Sequence, residues 1–351
     1  MKIAFTPATI SFLPMAYTLA DSFLRHNPDY EFYIFLLDPV NDHTNPFRHE
    51  KINFISIAEI NIRGFGELQN KYSISEMSFA LKPALFLFLL ENIPDVEHVF
   101  YFDSDIFVYN SFDHAEKLLD TYDVLLTPHF LTTVNDDKIP SELDIVRTGI
   151  YNMGFAAFGN TENSRYVLRW WKKRVFDFGF ENRDLGFSAD QMYMSIVPVV
   201  FKNVGIIRHK GYNFAFWNIH ERKLSVSDGK YFVNNNYPLV FVHFAKFNPH
   251  NPDHFTGDKH FNRVLPGEDQ VLDKLCREYA NRLVTAGYDK YIPIRSIYAK
   301  SRARQAYARM KMSKSPGMRL KNLFILGLSL LPRFLKQGIA KFGLFVLRNI
   351  K

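Results

Sequence analysis

Between Lys2 and Phe102, short apolar runs of strand length alternate with stretches of helical periodicity, and this alternation constrains the fold more than any other feature. Lys2 to Thr6 reads as a strand. Ala16, Leu19, Ala20, Phe23 and Leu24 recur at helical spacing, and Asn27-Pro28 stops that helix. Glu31 to Leu37 and Lys51 to Ile57 read as buried strands. Ser75 to Leu90 reads as a helix interrupted or restarted at Pro83, and Val96 to Phe102 as a strand running into Asp103-Ser-Asp105. Strands alternating with helices predict an α/β fold, a mixed but mainly parallel sheet covered on both faces. Ligands of such sheets bind beyond the carboxyl ends of the strands, where Asp103 and Asp105 fall. The second half is less regular. A helix over 161–178, strands near 200–207 and 238–243, and a helix from about 267 to Ala286, stopped by Gly287, are predicted.

The formal net charge of +7 has to be divided before it means anything. Residues 290–351 hold 15 Lys and Arg and no acidic residue, which leaves 28 basic and all 36 acidic residues in 1–289, a net of −8. An acidic body thus carries a basic tail, and the break near 290 divides the expected domains, 1–289 and 290–351. Hydrophobic residues make up 47% of the chain and charged ones 23%, the balance of a folded protein. The 35 Phe fit an aromatic core, with sugar-stacking platforms as the alternative. The single cysteine, Cys276, excludes an internal disulfide framework, points to a reducing compartment and lies in a helical pattern that buries it. The N-terminus starts a strand and has no signal-peptide pattern. The longest apolar stretch, Leu323 to Leu331, ends at Pro332-Arg333, short of the roughly 18 residues a spanning helix needs. A cytoplasmic chain, peripheral on the inner face of the membrane, is expected.

Chemistry concentrates in Phe100-Tyr-Phe-Asp103-Ser-Asp105-Ile-Phe-Val108. Two carboxylates one residue apart at the end of an apolar strand point to one side, and two such anions need a cation. A hard divalent ion, Mn²⁺ or Mg²⁺, suits oxygen ligands and can bridge to a diphosphate, stabilising charge on departing phosphate oxygens. Exposed turn carboxylates are the plainer alternative. His243, at the end of the apolar run Pro238 to Val242, is the candidate third ligand, against a core histidine held by a backbone carbonyl. Lys246 stands three residues on, placed to neutralise a phosphate.

Asp103-Ser-Asp105, Tyr151-Asn-Met-Gly154-Phe, Asp190-Gln191 and the late strand ending in His243 occur in the order found in GT-A glycosyltransferases. The set resembles the retaining family 8 enzymes and a related bacterial group that elongates surface polysaccharides. Ala80-Leu-Lys82-Pro83, Leu126-Thr-Pro-His129, Trp170-Trp171, Asn213-Phe-Ala-Phe-Trp217-Asn218 with Arg222, and His243-Phe resemble the bacterial group. The resemblance runs from about residue 1 to 250. It implies a GT-A (Rossmann-like) sheet for 1–289 and transfer of a sugar, with retention, from a nucleotide-sugar donor such as a UDP-sugar to a glycan or glycolipid acceptor. Asp103, Asp105 and His243 would hold the metal. Thr6 and Ala8 would lie near the base and ribose. Lys82, Asp103, Ser104, Asn152, Met153 and Gly154 would bind the donor, and Asp190 and Gln191 would be catalytic. Asn213, Trp217, Asn218 and Arg222 would contact the acceptor. Where family 8 enzymes carry an Asp and an aromatic after the first strand, this chain has Ala8-Thr9-Ile10. Where they carry Gly and then Lys after the histidine, it has Lys246 and Pro249.

Plainer readings stand beside these. Asp190 fits a helix cap, Asn152 a turn residue, Trp170-Trp171 and Trp217 core aromatics, and Arg222 a surface residue. One rival, a nucleotidyltransferase, needs a Gly-rich basic loop after the first strand, and Thr6-Pro-Ala-Thr-Ile-Ser-Phe12 has neither glycine nor cation. The other is a sugar-binding or scaffold protein without turnover. Beyond 290, apolar residues interleave with cations as in helices lying on anionic membrane. A helix packed on the body, a partner helix and an RNA-binding extension are the alternatives. Because Phe, Leu and Ile flank the charges, the membrane surface is expected and nucleic acid is not.

Overall fold

The computed structural model describes residues 1–182, 187–257 and 261–299. Along the chain come β1 (Lys2–Ala8), α1 (Leu13–His26), β2 (Tyr30–Leu36), β3 (Ile52–Ser56), α2 (Phe65–Lys71), α3 (Ile74–Asn92), β4 (His98–Phe102) and β5 (Ile106–Val108). Next are α4 (Asp113–Leu119), β6 (Val124–Pro128), α5 (Glu142–Thr148), β7 (Tyr151–Gly159), α6 (Glu162–Phe178), β8 (Glu181–Asn182) and β9 (Phe187–Ser188). They are followed by α7 (Gln191–Met194), α8 (Val197–Val200), β10 (Val204–Ile206), β11 (Leu224–Ser227), β12 (Lys230–Val233), β13 (Tyr237–Pro238) and β14 (Phe241–His243). Two helices, α9 (Gln270–Thr285) and α10 (Tyr288–Tyr291), close the described part.

Seven strands form the central sheet in the order β10-β6-β7-β4-β1-β2-β3. All its neighbours run parallel except at β7, which pairs antiparallel with both β4 and β6. The mixed, mainly parallel α/β class expected from the sequence is the one formed. Helices cover both faces. On one, Phe23 of α1 packs on Phe32 and Phe102; on the other, Phe86 of α3 lies 4.8 Å from Phe5 and 4.7 Å from Phe158. Successive residues Tyr101 and Phe102 face opposite helices, as strand geometry requires. Each buried Phe stabilises the fold by about 1.5–3 kcal/mol, so the aromatic abundance is accounted for by the core. Cys276 is buried as expected, and burial pushes its thiol up.

Contacts divide the chain into two units. One comprises Met1–Arg63 with Ser78–Ile297, the other Gly64–Met77 with Tyr298–Lys351. In the second, the ring of Phe65 meets that of Tyr298 at 5.6 Å. Tyr291 is buried, and its ring packs on Phe47. The predicted basic tail lies outside the described residues from 300 onward. Among the described residues, no helix is long and apolar enough to cross a membrane.

Candidate functional site

β4 ends at Phe102, and the chain turns: Ile106 N–H donates to the Asp103 carbonyl at 3.2 Å before β5 begins. Asp103 and Asp105 therefore face one place through a turn, whereas strand alternation was the expected cause. The turn takes the chain out of the central sheet into a two-stranded sheet with β14, where His243 is paired with Ile106. That register sets the histidine beside the aspartates, although it lies 138 positions after Asp105. Its Nε2 lies 3.1 Å from Asp105 Oδ1 and 3.9 Å from Asp103 Oδ2. One ligand atom from each of the three residues falls within 4.8 Å of the others. An ion holding oxygen or nitrogen at about 2.1 Å sets adjacent ligand atoms about 3 Å apart and opposite ones about 4.2 Å apart. The three residues fit a divalent cation.

Beside this cluster, α3 delivers Lys82, fully buried. Its ammonium is 2.7 Å from Asp190 Oδ2 and 3.3 Å from Asp103 Oδ1, and it donates to the Met153 carbonyl at 2.8 Å. Burial works to lower the Lys82 pKa, and the two carboxylates outweigh it, so the group is held above its usual value. Burial pushes the Asp190 carboxyl up, against the pull of Lys82. The Asp105 carboxyl is held below its usual value, burial being overcome by His243; His243 in turn is raised by Asp105 against its own burial. Tyr101, two residues before Asp103 on the same strand face, donates its hydroxyl to Asp103 Oδ1. Sequence reading passed over it, although the two-residue spacing was a usable signal.

β7 was not recognised as a strand, and it floors the site. Asn152 is therefore a strand residue, not a turn residue; its amide faces His243 and Gln191. Gln191 Oε1 accepts from Met153 N–H at 2.9 Å, and its Nε2 donates to the Thr148 carbonyl at 3.2 Å. Asp190 makes no cap bond to α7, so the capping alternative fails. Gly154 allows the close approach: a Cβ there would lie 2.4 Å from His243 Cε1 and 2.7 Å from Asn152 Oδ1. Thr6 and Ala8 are buried at the carboxyl end of β1, in register with Ile34 and Leu36 of β2, and Thr6 Oγ1 has no hydrogen-bond partner among the described residues. Ser104 is half-buried in the turn. Lys246 is exposed with φ +60°, the left-handed conformation that favours the glycine family 8 enzymes carry there.

The four residues expected to contact the acceptor all lie in the interior of the described chain. Asn213, Asn218 and Arg222 are buried. Asn218 donates to the His129 and Asn213 carbonyls and accepts from Ala215 N–H. Asn213 donates to the Pro128 carbonyl, and Arg222 to Glu221 and to the Lys210 and Tyr212 carbonyls. With their donors engaged internally, these three build the loop that carries the site wall. Trp217 is buried too, its ring edge-on to His243 at 5.2 Å. His129, absent from the expected site, meets the Trp217 ring edge-on at 5.3 Å, and its Nε2 lies 3.3 Å from Asn152 Nδ2.

No family model matches the chain. Two uncharacterized proteins of Bacillus subtilis match: YfnD at 26% identity, over 67% of this chain and 73% of its own length, and YfnF at 26%, over 56% and 65%. The galactosyltransferase LgtC, solved with donor and acceptor sugar analogs, aligns at TM-score 0.46 and 15% identity, over 80% of this chain and 95% of that one. GlyE, a glycosyltransferase of Streptococcus pneumoniae, aligns at TM-score 0.46 and 14% identity, over 86% and 65%. A glycosyltransferase involved in glycosylation of the major capsid of PBCV-1 aligns at 0.40 and 11%, over 79% and 98%. In this chain the comparisons stand beside a mixed, mainly parallel sheet and an Asp–Asp–His cluster beyond the end of β4. The solved structures named here are all of glycosyltransferases.

Proposed function

We propose that this chain is a metal-dependent glycosyltransferase that moves a sugar from a nucleotide-sugar donor, a UDP-sugar in our reading, to a glycan or glycolipid acceptor in surface-polysaccharide synthesis. The observation that carries this is the convergence of Asp103, Asp105 and His243, with Lys82 and Asp190 directly beside them. A divalent ion on the three ligands, Mn²⁺ or Mg²⁺, would stabilise the negative charge of a departing diphosphate. Lys82 joins this centre to Asp190, so sugar contacts made by Asp190 would be tied to the ligand turn. The Met153 N–H and the Thr148 carbonyl fix Gln191 from both ends of its amide, a pre-set group for the reacting face of a sugar. Retention by front-face attack is part of this reading. So is peripheral attachment to anionic membrane on the cytoplasmic side through the basic residues of 290–351.

A thermal-shift screen with Mn²⁺ across UDP-, GDP- and CDP-sugars tests the proposal. Stabilisation is expected with one nucleotide class only, and Asp105→Asn should abolish it. Donor consumption separates enzyme from scaffold: bound donor that is never hydrolysed or transferred would rule out turnover.

A further inference from the structure

The Asn152 side chain is buried at 5% exposure and makes a contact from each end of its amide. Its Oδ1 accepts from Gly154 N–H at 3.1 Å and lies 3.0 Å from His243 Nδ1. Its Nδ2 donates to Gln191 Oε1 at 3.2 Å. Oxygen and nitrogen of such an amide are assigned from their partners, and here the partners leave one choice. A backbone N–H can only donate, so the atom facing Gly154 is the oxygen. Gln191 Oε1, held as an acceptor by Met153 N–H at 2.9 Å, requires the nitrogen on the other side. An oxygen facing His243 Nδ1 obliges that nitrogen to carry a proton. The other ring nitrogen, Nε2, is then the one that presents a lone pair to Asp103 and Asp105 when the ring is neutral.

We propose that Asn152 is a positioning residue for the metal centre: its carboxamide oxygen fixes the ring orientation and tautomer of His243 so that Nε2 is the ligand atom. This rests on the reading of Asp103, Asp105 and His243 as a cation site, and gives Asn152 a role other than the sugar contact implied by family resemblance. Two features of the neighbourhood serve the same end. Gly154 alone leaves room for the imidazole, and Trp217 closes on the ring edge-on at 5.2 Å, so the ring is held by packing as well as by the bond.

The test titrates Mn²⁺ alone into the full chain, reading free Mn²⁺ by electron paramagnetic resonance. Loss of a group that orients a ligand histidine costs roughly 10–100-fold in metal affinity, and Asn152→Ala is expected in that range. Asn152→Asp keeps an oxygen toward Gly154 N–H and His243 Nδ1, and should bind Mn²⁺ within a few-fold of wild type. A residue that merely filled space would show no such rescue, so Ala and Asp weakening binding equally would overturn the inference, as would Ala binding like wild type. If Asp105→Asn binds Mn²⁺ as tightly as wild type, the cation site itself is wrong, a different failure. Should Asn152→Ala not fold, nitrogen-15 spectra of the Mg²⁺-loaded wild type decide. The proton must sit on Nδ1 of His243, and finding it on Nε2 overturns the proposal.

Discussion

At the scale of single residues, His243 makes the site pH-sensitive with a sign that can be worked out. Asp105 raises its pKa above the usual value of about 6.5, so the ion pair in the metal-free protein contributes stability fully below that pH and loses it as pH rises through the folded-state value. Metal binding runs the other way, because the ligand nitrogen must shed its proton. The Mn²⁺-induced rise in melting temperature should therefore be small near about pH 5.5 and large near about pH 8. An equal rise at both would exclude His243 as a ligand. Gly154→Ala inserts a methyl 2.4 Å from His243 Cε1. Overpacking of that kind costs about 1–3 kcal/mol, and urea unfolding should show it together with weakened Mn²⁺ binding. Lys82→Met leaves the buried carboxyl of Asp190 without its cation. Breaking a buried pair costs roughly 3–5 kcal/mol, and Lys82→Met with Asp190→Asn should recover most of it in the same assay. All three residues were visible in the sequence. Tyr101 was not marked, although it stands two residues before Asp103, and His129 was quoted only within Leu126-Thr-Pro-His129, because a histidine after Thr-Pro carries no distinguishing spacing of its own.

At the scale of elements, the site rests on short strands whose sequence signal is weak. β7, Tyr-Asn-Met-Gly-Phe-Ala-Ala-Phe-Gly, is buried along its whole length, so it shows neither alternation nor a polar face. β14 has three residues and owes its place to packing. Phe241 lies among Phe102, Phe112, Phe155 and Tyr212, and Phe244 stacks on Tyr279 of α9 at 3.9 Å. Phe241→Ala should cost about 3–5 kcal/mol and loosen the cation site as well, since His243 is two residues away on the same strand. Retained Mn²⁺ affinity after that loss of stability would show that the ligand does not depend on β14 packing. Pro83 was expected to interrupt its helix, yet α3 runs through it. Residues 80–87 are all buried, and packing on every side outweighs the roughly 3 kcal/mol that an internal proline costs.

At the scale of the whole chain, the unequal distribution of charge leads to a test of attachment. With 15 basic and no acidic residues, the segment 290–351 should draw the protein to anionic vesicles and leave neutral ones unbound. A chain ending at Ile297 keeps every residue of the first unit. It is expected to lose vesicle binding while retaining Mn²⁺-dependent stabilisation; co-sedimentation unchanged by the truncation would assign the membrane contact elsewhere.

The amino-acid order alone determined the α/β class, the acidic body with its basic tail, and the Asp103–Asp105 pair. Those follow from local periodicity and composition, which need no partner segment to be read. Only the tertiary structure decided that His243 completes the pair, that Lys82 and Asp190 neutralise one another beside it, and that Asn213, Asn218 and Arg222 hold a loop together. Each depends on segments far apart in sequence brought together by packing, and hydrogen-bond partners at that range leave no local pattern in the chain.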